Sequence, residues 1–325
     1  MKGKGSLLRW FWPLVAVAVL VALPAILPRY QLRLVNEALI FSLFAVSYNL
    51  LLGYAGLLSF GHAMFFGVGA YTTGLLAGKG AAMPFFGALA LATLVTTLVG
   101  FAVGVLLLRV RGTPFALLTL AFNALFYAIA IKWSDLTGGD DGLKLFRPAI
   151  DVGITQLNTN AHSVFYYITL LVVGVTLLYC WYFTRTSMGR TVLLMRENEE
   201  RLRFVGYNTS VSRLILFTFT GSLAGMAGSF YALFFSFVSL EAISIDMTTR
   251  VLLMTFIGGT GHFLGPVLGA GVYIYLQDFL SDLTDRWPLI MGVLFILIVL
   301  FAPGGLSGII RSATGFFVRQ DNAKG

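Results

Sequence analysis

The chain has 325 residues, of which 58% are hydrophobic and 11% charged, against roughly 25% charged residues in soluble proteins. That balance excludes a water-soluble fold. The formal net charge of +8 reads as attraction to an anionic lipid face rather than to nucleic acid.

A bilayer core about 30 Å thick takes about 20 helical residues per span. A chain of 325 residues therefore has room for about ten spans and their connections. The apolar runs are continuous rather than alternating, which argues for helices over a β-barrel, since only these two satisfy their backbone groups in lipid. The fold class expected is all-α: a polytopic transmembrane helical bundle of about ten spans, with broken or re-entrant Gly-rich segments. It forms one domain over residues 1–325.

In chain order, Lys2, Lys4 and Arg9 precede an apolar run from 11 to 28. This start resembles a secretory signal, but no small-x-small cleavage site follows, and it reads as a retained first helix. Further apolar segments fall at 35 to 52, 60 to 78, 85 to 108, 114 to 131 and 164 to 183. Others follow at 214 to 238, 248 to 260, 264 to 281 and 288 to 302. The tryptophans Trp10, Trp12, Trp133, Trp181 and Trp287 lie near predicted span ends, as interfacial anchors should. Cys180, the only cysteine, sits inside an apolar run; it allows no intrachain disulfide and points to packing.

Lys and Arg are retained on the cytoplasmic side of a membrane. Cytoplasmic N- and C-termini place 14 of the 22 Lys and Arg residues inside, including Arg109, Arg111, Arg311, Arg319, Lys324 and the six arginines from 185 to 213. Two long connections then lie on opposite sides. The outer one, 132–163, is a periplasmic loop holding the turn-rich run Thr137 to Gly142, suited either to a soluble ligand or protein or to plain solvation. The inner one, 184–213, is a cytoplasmic loop that gathers Arg185, Arg190, Arg196, Glu197, Glu199, Glu200, Arg201 and Arg203. A cytoplasmic tail covers 303–325.

The inner loop reads as a polar hinge available to a soluble partner. Good helix formers run from Val192 to Phe204, and Gly206 can close that helix in a left-handed conformation. Glu197 with Arg201 and Glu199 with Arg203 stand at i, i+4, pairs worth only about 0.2–0.5 kcal/mol each. An extended, solvated loop is the alternative reading.

Glycine is abundant, with 36 residues. Small residues let membrane helices approach closely. Two runs, Gly53 to Gly61 and Gly258-Gly259-Thr260-Gly261-His262, are dense enough to break a helix and expose backbone polar groups. Among polar residues in the apolar segments, Asn49, Ser59 and His62 lie deepest or in broken helix. With Gly258, Gly259 and Gly261 they are candidates to line a translocation path, or else to hydrogen-bond between helices.

Motifs for chemistry are missing. The sequence has no G-x-x-x-x-G-K-[ST] phosphate loop, no H-E-x-x-H, no cysteine cluster and no G-x-S-x-G. No catalytic residue, metal site or cofactor is expected, and the chain reads as a transport subunit rather than an enzyme.

Four stretches resemble the membrane permease of branched-chain amino acid importers of the ATP-binding-cassette class, the LivM-type family. They are Tyr48 to Ala63 with Phe65 to Tyr71; Arg196 to Glu199 onward to Gly206; Gly258 to Gly261 with Gly265 to Ala270; and Leu300 to Leu306. The resemblance covers nearly the whole chain. It implies that Glu199 to Gly206 matches the motif by which such permeases seat a short helix in a cleft of an ATPase subunit. Arg196, Glu197, Glu199, Glu200, Arg201 and Gly206 would then be the ATPase-coupling residues. Arg201 departs from the usual small Ala of that motif, and Gly304 stands where a basic residue is common.

The resemblance further implies a bacterial inner-membrane assembly. Its partners would be a second homologous permease, two ATPase subunits, a periplasmic or lipid-tethered substrate-binding protein and the lipid bilayer. Leucine, isoleucine and valine are the substrates implied, with urea, short amides and other amino acids as alternatives. A self-contained secondary transporter or channel is the competing class, for which paired intramembrane charges or a repeated pore motif would be expected.

Overall fold

The computed structural model describes residues 18–78, 83–107, 110, 112–148, 150–151, 156–157, 159, 161–302 and 304–308. Lys2, Lys4, Arg9, Trp10, Trp12, Arg109, Arg111 and nearly all of the 303–325 tail lie outside these residues. Within them the protein is mostly helical, and the apolar segments read from the sequence overlap helices, the first of them over its described part, 18–26.

The first described helix, α1, covers 18–26. Helix α2 runs over Arg29–Asn49 and continues as a π-helical turn over Leu50–Tyr54. Then come α3 (Ala63–Gly78), α4 (Phe85–Leu107), α5 (Thr113–Lys132) and the single turn α6 (Ser134–Thr137). After the loop come α7 (His162–Arg185), the hinge helices α8 (Ser187–Glu197) and α9 (Glu199–Phe204), and α10 (Thr209–Phe235). Next come α11 (Ile245–Gly258), α12 (Gly265–Leu283) and α13 (Trp287–Phe301), and a helical turn covers 305–308. Six helices among the described residues are long and apolar enough to cross a membrane, whereas α3 is shorter.

Two elements form the centre. Helix α2 packs on α7, α10, α11 and α12, and α10 packs on α3 and α4. Between them Phe44 and Phe66 lie 4.6 Å apart and Phe66 and Tyr231 5.2 Å apart, spacings at which aromatic pairs attract beyond simple burial. Helices α3 and α10 meet backbone to backbone. A Cβ on Gly69 would strike the Gly225 main chain, and one on Gly228 would strike the Phe66 main chain. This is the use that small residues have where membrane helices cross.

The strands are two-residue pairs. β1 (Leu143–Lys144) pairs antiparallel with β4 (Phe237–Val238), and β2 (Ile150–Asp151) with β3 (Gln156–Leu157). The first pair ties the 132–163 connection to the exit of α10. Arg147 reinforces the tie: its Nε donates to Leu233 O at 2.6 Å, its Nη2 to Phe234 O, and its guanidinium sits 4.7 Å from the Phe165 ring centre. These are the end carbonyls of α10, where a cation is favoured. Burial first, and the Arg33 charge second, pull the Arg147 pKa below the ordinary arginine value; it stays charged nonetheless.

In the hinge the structure differs from the single helix expected over Val192–Phe204. Asn198 is extended (φ −160°, ψ 96°) and divides it into α8 and α9. The reason is local competition: the Asn198 side chain accepts the Arg201 N–H at 2.9 Å and so starts a new helix. Glu197 and Arg201 therefore stand on different helices and lose the i, i+4 relation.

Gly69→Ala is expected to weaken the α3–α10 crossing by about 1–3 kcal/mol. Gly174→Ala, whose added methyl meets nothing within 4 Å, should leave stability unchanged. Thermal melting of the two detergent-solubilised variants checks this; equal melting points would contradict the packing described.

Candidate functional site

The hinge is a string of capped helices. Thr186 caps α8, Asn198 caps α9 and Asn208 caps α10, each side chain accepting a backbone N–H of the following turn. At its far end α9 closes with two reverse bonds, Tyr207 N–H to Leu202 O at 3.1 Å and Gly206 N–H to Arg203 O at 3.0 Å. This closure needs a left-handed residue, and Gly206 supplies it with φ +92°.

Glu199 is the electrostatic centre. Its Oε1 accepts from Arg213 Nη2 at 2.6 Å and from Arg203 Nη2 at 3.2 Å. Arg213 is buried in the first turns of α10, and its Nη1 also donates to Val110 O at 3.3 Å. Arg203 Nε donates to Thr209 Oγ1 at 2.9 Å. One carboxylate thus joins α9, α10 and the connection after α4. The acidic residues Glu199 and Glu200 open α9, and Arg201 and Arg203 close it, the arrangement that the helix dipole favours. Glu197, Glu200 and Arg201 are exposed.

Arg213 was no candidate in the sequence. Its signal there was an arginine directly before an apolar run of spanning length, a place that equally suits a topology determinant. Burial is what separates the two roles.

Arg196, at the end of α8, points elsewhere. Its Nη1 donates to the carbonyl oxygen of Gly53, inside the π-helical turn. Gly56, with φ +69°, lies alongside, where a Cβ would come within 3.1 Å of Arg196 Cγ.

The two Gly-rich breaks adjoin one another. Asn49 Nδ2 donates to His262 O at 3.2 Å, and a Cβ on Gly53 would press on Thr260 O. Gly259 ends α11 with φ +99°. A Cβ there would strike Gly304 O and the Ser307 hydroxyl, and one on Gly258 would strike the Gly265 main chain. His262 Nδ1 lies 3.2 Å from Ser307 Oγ. Gly261 is exposed, with open space beside it.

Asn49, Ser59 and His62 are fully buried. His62 packs parallel to Phe44 and edge-on to Tyr48 and Phe65, with Nε2 at 3.1 Å from Ser47 Oγ. Asn49 Oδ1, Ser59 Oγ and His62 Nδ1 have no hydrogen-bond partner. Buried orphans of this kind cost about 1–3 kcal/mol each and mark places where the chain is not optimised for static packing alone. Among the described residues, no group of three or more His, Cys, Asp or Glu side chains could hold a metal ion.

Glu199→Gln removes the charge that faces buried Arg213. It should loosen α9 from α10 by about 1–3 kcal/mol and speed tryptic cleavage after Arg201 or Arg203. Cleavage at the native rate would show the ion pair to be dispensable.

Comparison with known proteins is consistent along nearly the whole chain. The family described as "Branched-chain amino acid transport system / permease component" matches residues 30–302. The LivM high-affinity branched-chain amino acid transport system permease proteins of Escherichia coli (strain K12) and Salmonella typhimurium are 28% and 26% identical. Those alignments cover 92% and 91% of this chain and 75% and 74% of the relatives. The autoinducer 2 import system permease protein LsrC of Salmonella typhi is 27% identical over 55% of this chain and 51% of its own length. No solved structure matches the chain.

Proposed function

The chain belongs to the family of permease components of branched-chain amino acid transport systems, and from that premise we propose that it is the membrane-spanning subunit of an ATP-driven importer of leucine, isoleucine and valine. ATP hydrolysis belongs to separate ATPase subunits, since the sequence has no phosphate-binding loop. The observation that carries this reading is the hinge. It is a capped, ion-paired helix pair that leaves Phe204 at 91% and Val205 at 72% exposure, beside the exposed charges of Glu200 and Arg201. An apolar tip ringed by charge suits a cleft in a soluble partner better than it suits bare water.

The assembly comprises this subunit, a homologous second permease, two ATPase subunits and a periplasmic or lipid-tethered binding protein, in the cytoplasmic membrane of a bacterium. The chain crosses that membrane about ten times as a single domain, with both termini and the 184–213 coupling loop inside and the 132–163 loop outside. The segments around Gly53–Gly61 and Gly258–Gly261 are re-entrant. ATP-driven closure of the ATPase pair rocks the spans between outward and inward access. Asn49 Oδ1, Ser59 Oγ and His62 Nδ1, which lack partners, then offer hydrogen-bonding capacity to a zwitterion along an otherwise apolar and backbone-lined route.

The likeness to the autoinducer 2 permease protein favours one second reading, in which the same architecture carries a different small polar solute. Selection then lies in the binding protein.

Proteoliposomes holding this chain with its partner subunits, given labelled leucine or urea with ATP or a non-hydrolysable analogue, decide between these. Leucine accumulation that requires both ATP hydrolysis and the binding protein is expected. Accumulation without the ATPase subunits would overturn the proposal. Gly206→Pro removes both the left-handed φ and the N–H of the α9 closure, and should abolish uptake while membrane insertion stays normal; unchanged uptake would exclude the hinge as the coupling element.

A further inference from the structure

The sequence groups Arg196 with the residues that face the ATPase. The structure gives its guanidinium a partner on the bundle side, while the residue itself stays exposed. Its guanidinium donates to Gly53 O, the main chain of the broken segment that follows α2. This contact spans 143 residues and joins the last turn of α8 to the interior of the bundle.

The geometry of the break explains why an arginine is needed there. A π-helical turn shifts the hydrogen-bond register of the helix and leaves carbonyls without their usual partner. Here the Gly56 N–H goes to Leu52 O at 3.0 Å and the Leu57 N–H to Leu51 O at 3.0 Å. Gly53 O is served by the guanidinium instead. Gly56 keeps φ +69° and offers no Cβ against the arginine stem. The same turn is joined to the second break, because Asn49 Nδ2 holds His262 O and Gly53 abuts Thr260 O. His262 in turn meets Ser307 in the last described segment. A displacement of α8 therefore pulls on a main-chain carbonyl at the point where both breaks touch.

We infer that Arg196 is a positioning residue that transmits movement of the hinge to the junction of the two Gly-rich breaks, not a contact to the ATPase. The inference rests on the reading of the hinge as the coupling element. A π-turn is a break in helical register that recurs at functional sites, and the Gly53 carbonyl, bonded to the guanidinium, serves there as a handle. Arginine suits the task because its planar fork reaches far and keeps its charge.

The full transporter, reconstituted with its partner subunits and binding protein, provides the test. In Arg196→Ala the binding-protein-stimulated ATP hydrolysis should stay within about twofold of native, while leucine uptake per ATP falls roughly tenfold or more. Arg196→Lys, which keeps a donor and a positive charge, should recover a part of that ratio. A native uptake-to-ATP ratio in Arg196→Ala would overturn the inference. So would loss of the ATPase subunits from the purified complex, which would make Arg196 a docking residue.

Hydrogen exchange on the native complex gives a readout that needs no variant. Amides 53–57 should change protection on ATP binding together with amides 190–206; a hinge that responds while 53–57 stays constant would sink the link. Native transporter that shows no ATP-dependent uptake at all would instead count against the proposed function itself.

Discussion

A main-chain polar group inside an apolar bundle must have a partner, and in lipid only regular helix or an intramolecular substitute provides one. At the described break between α2 and α3, and where it meets the end of α11, side chains from other elements meet that requirement. Arg196 serves Gly53 O, Tyr48 serves Ser59 O at 3.1 Å, and Thr119 serves the Phe60 N–H at 3.1 Å. Thr248 serves the Ala63 N–H at 3.1 Å, and Asn49 serves His262 O at 3.2 Å. The polar residues scattered through the apolar segments are thus largely the price of breaking helices.

That substitution works because the backbones come close. Gly69, Gly225 and Gly228 let α3 lie on α10, and Gly258, Gly265 and Gly269 let α11 and α12 touch main chain to main chain. Short helices flank the breaks: α3, after the first, has 16 residues and α11, before the second, has 14. Each is too short for an ordinary span of about 20 residues, and each depends on its neighbours for burial.

The hinge obeys different physics because most of its residues are exposed and many are charged. Its ion pairs are local and its helices short, so caps and one buried charge carry the order. Exposed pairs such as Glu199 with Arg203 contribute little by themselves. The contact of Glu199 with Arg213 differs because Arg213 is buried at 3% exposure, so leaving that cation without its partner is costly. The same carboxylate therefore does modest work on one side and substantial work on the other.

Apolar runs of spanning length, the charged connection between two of them and the two glycine clusters are all local properties, and they are legible residue by residue. Hydropathy placed the helices because lipid selects on composition over about 20 residues. Gly206 was legible as a helix terminator because a positive φ is a single-residue property that glycine tolerates. The division of the hinge at Asn198 was not foreseen, since a capping side chain and a helix interior compete within a fraction of a kcal/mol. Only the tertiary structure decided that Arg196 turns inward to Gly53 while Glu199 holds Arg213, and that the two breaks meet through Asn49 and His262. Those contacts join residues far apart in the chain, and which of several exposed arginines reaches a freed carbonyl depends on how α8 lies against the π-helical turn after α2, a matter no local pattern records.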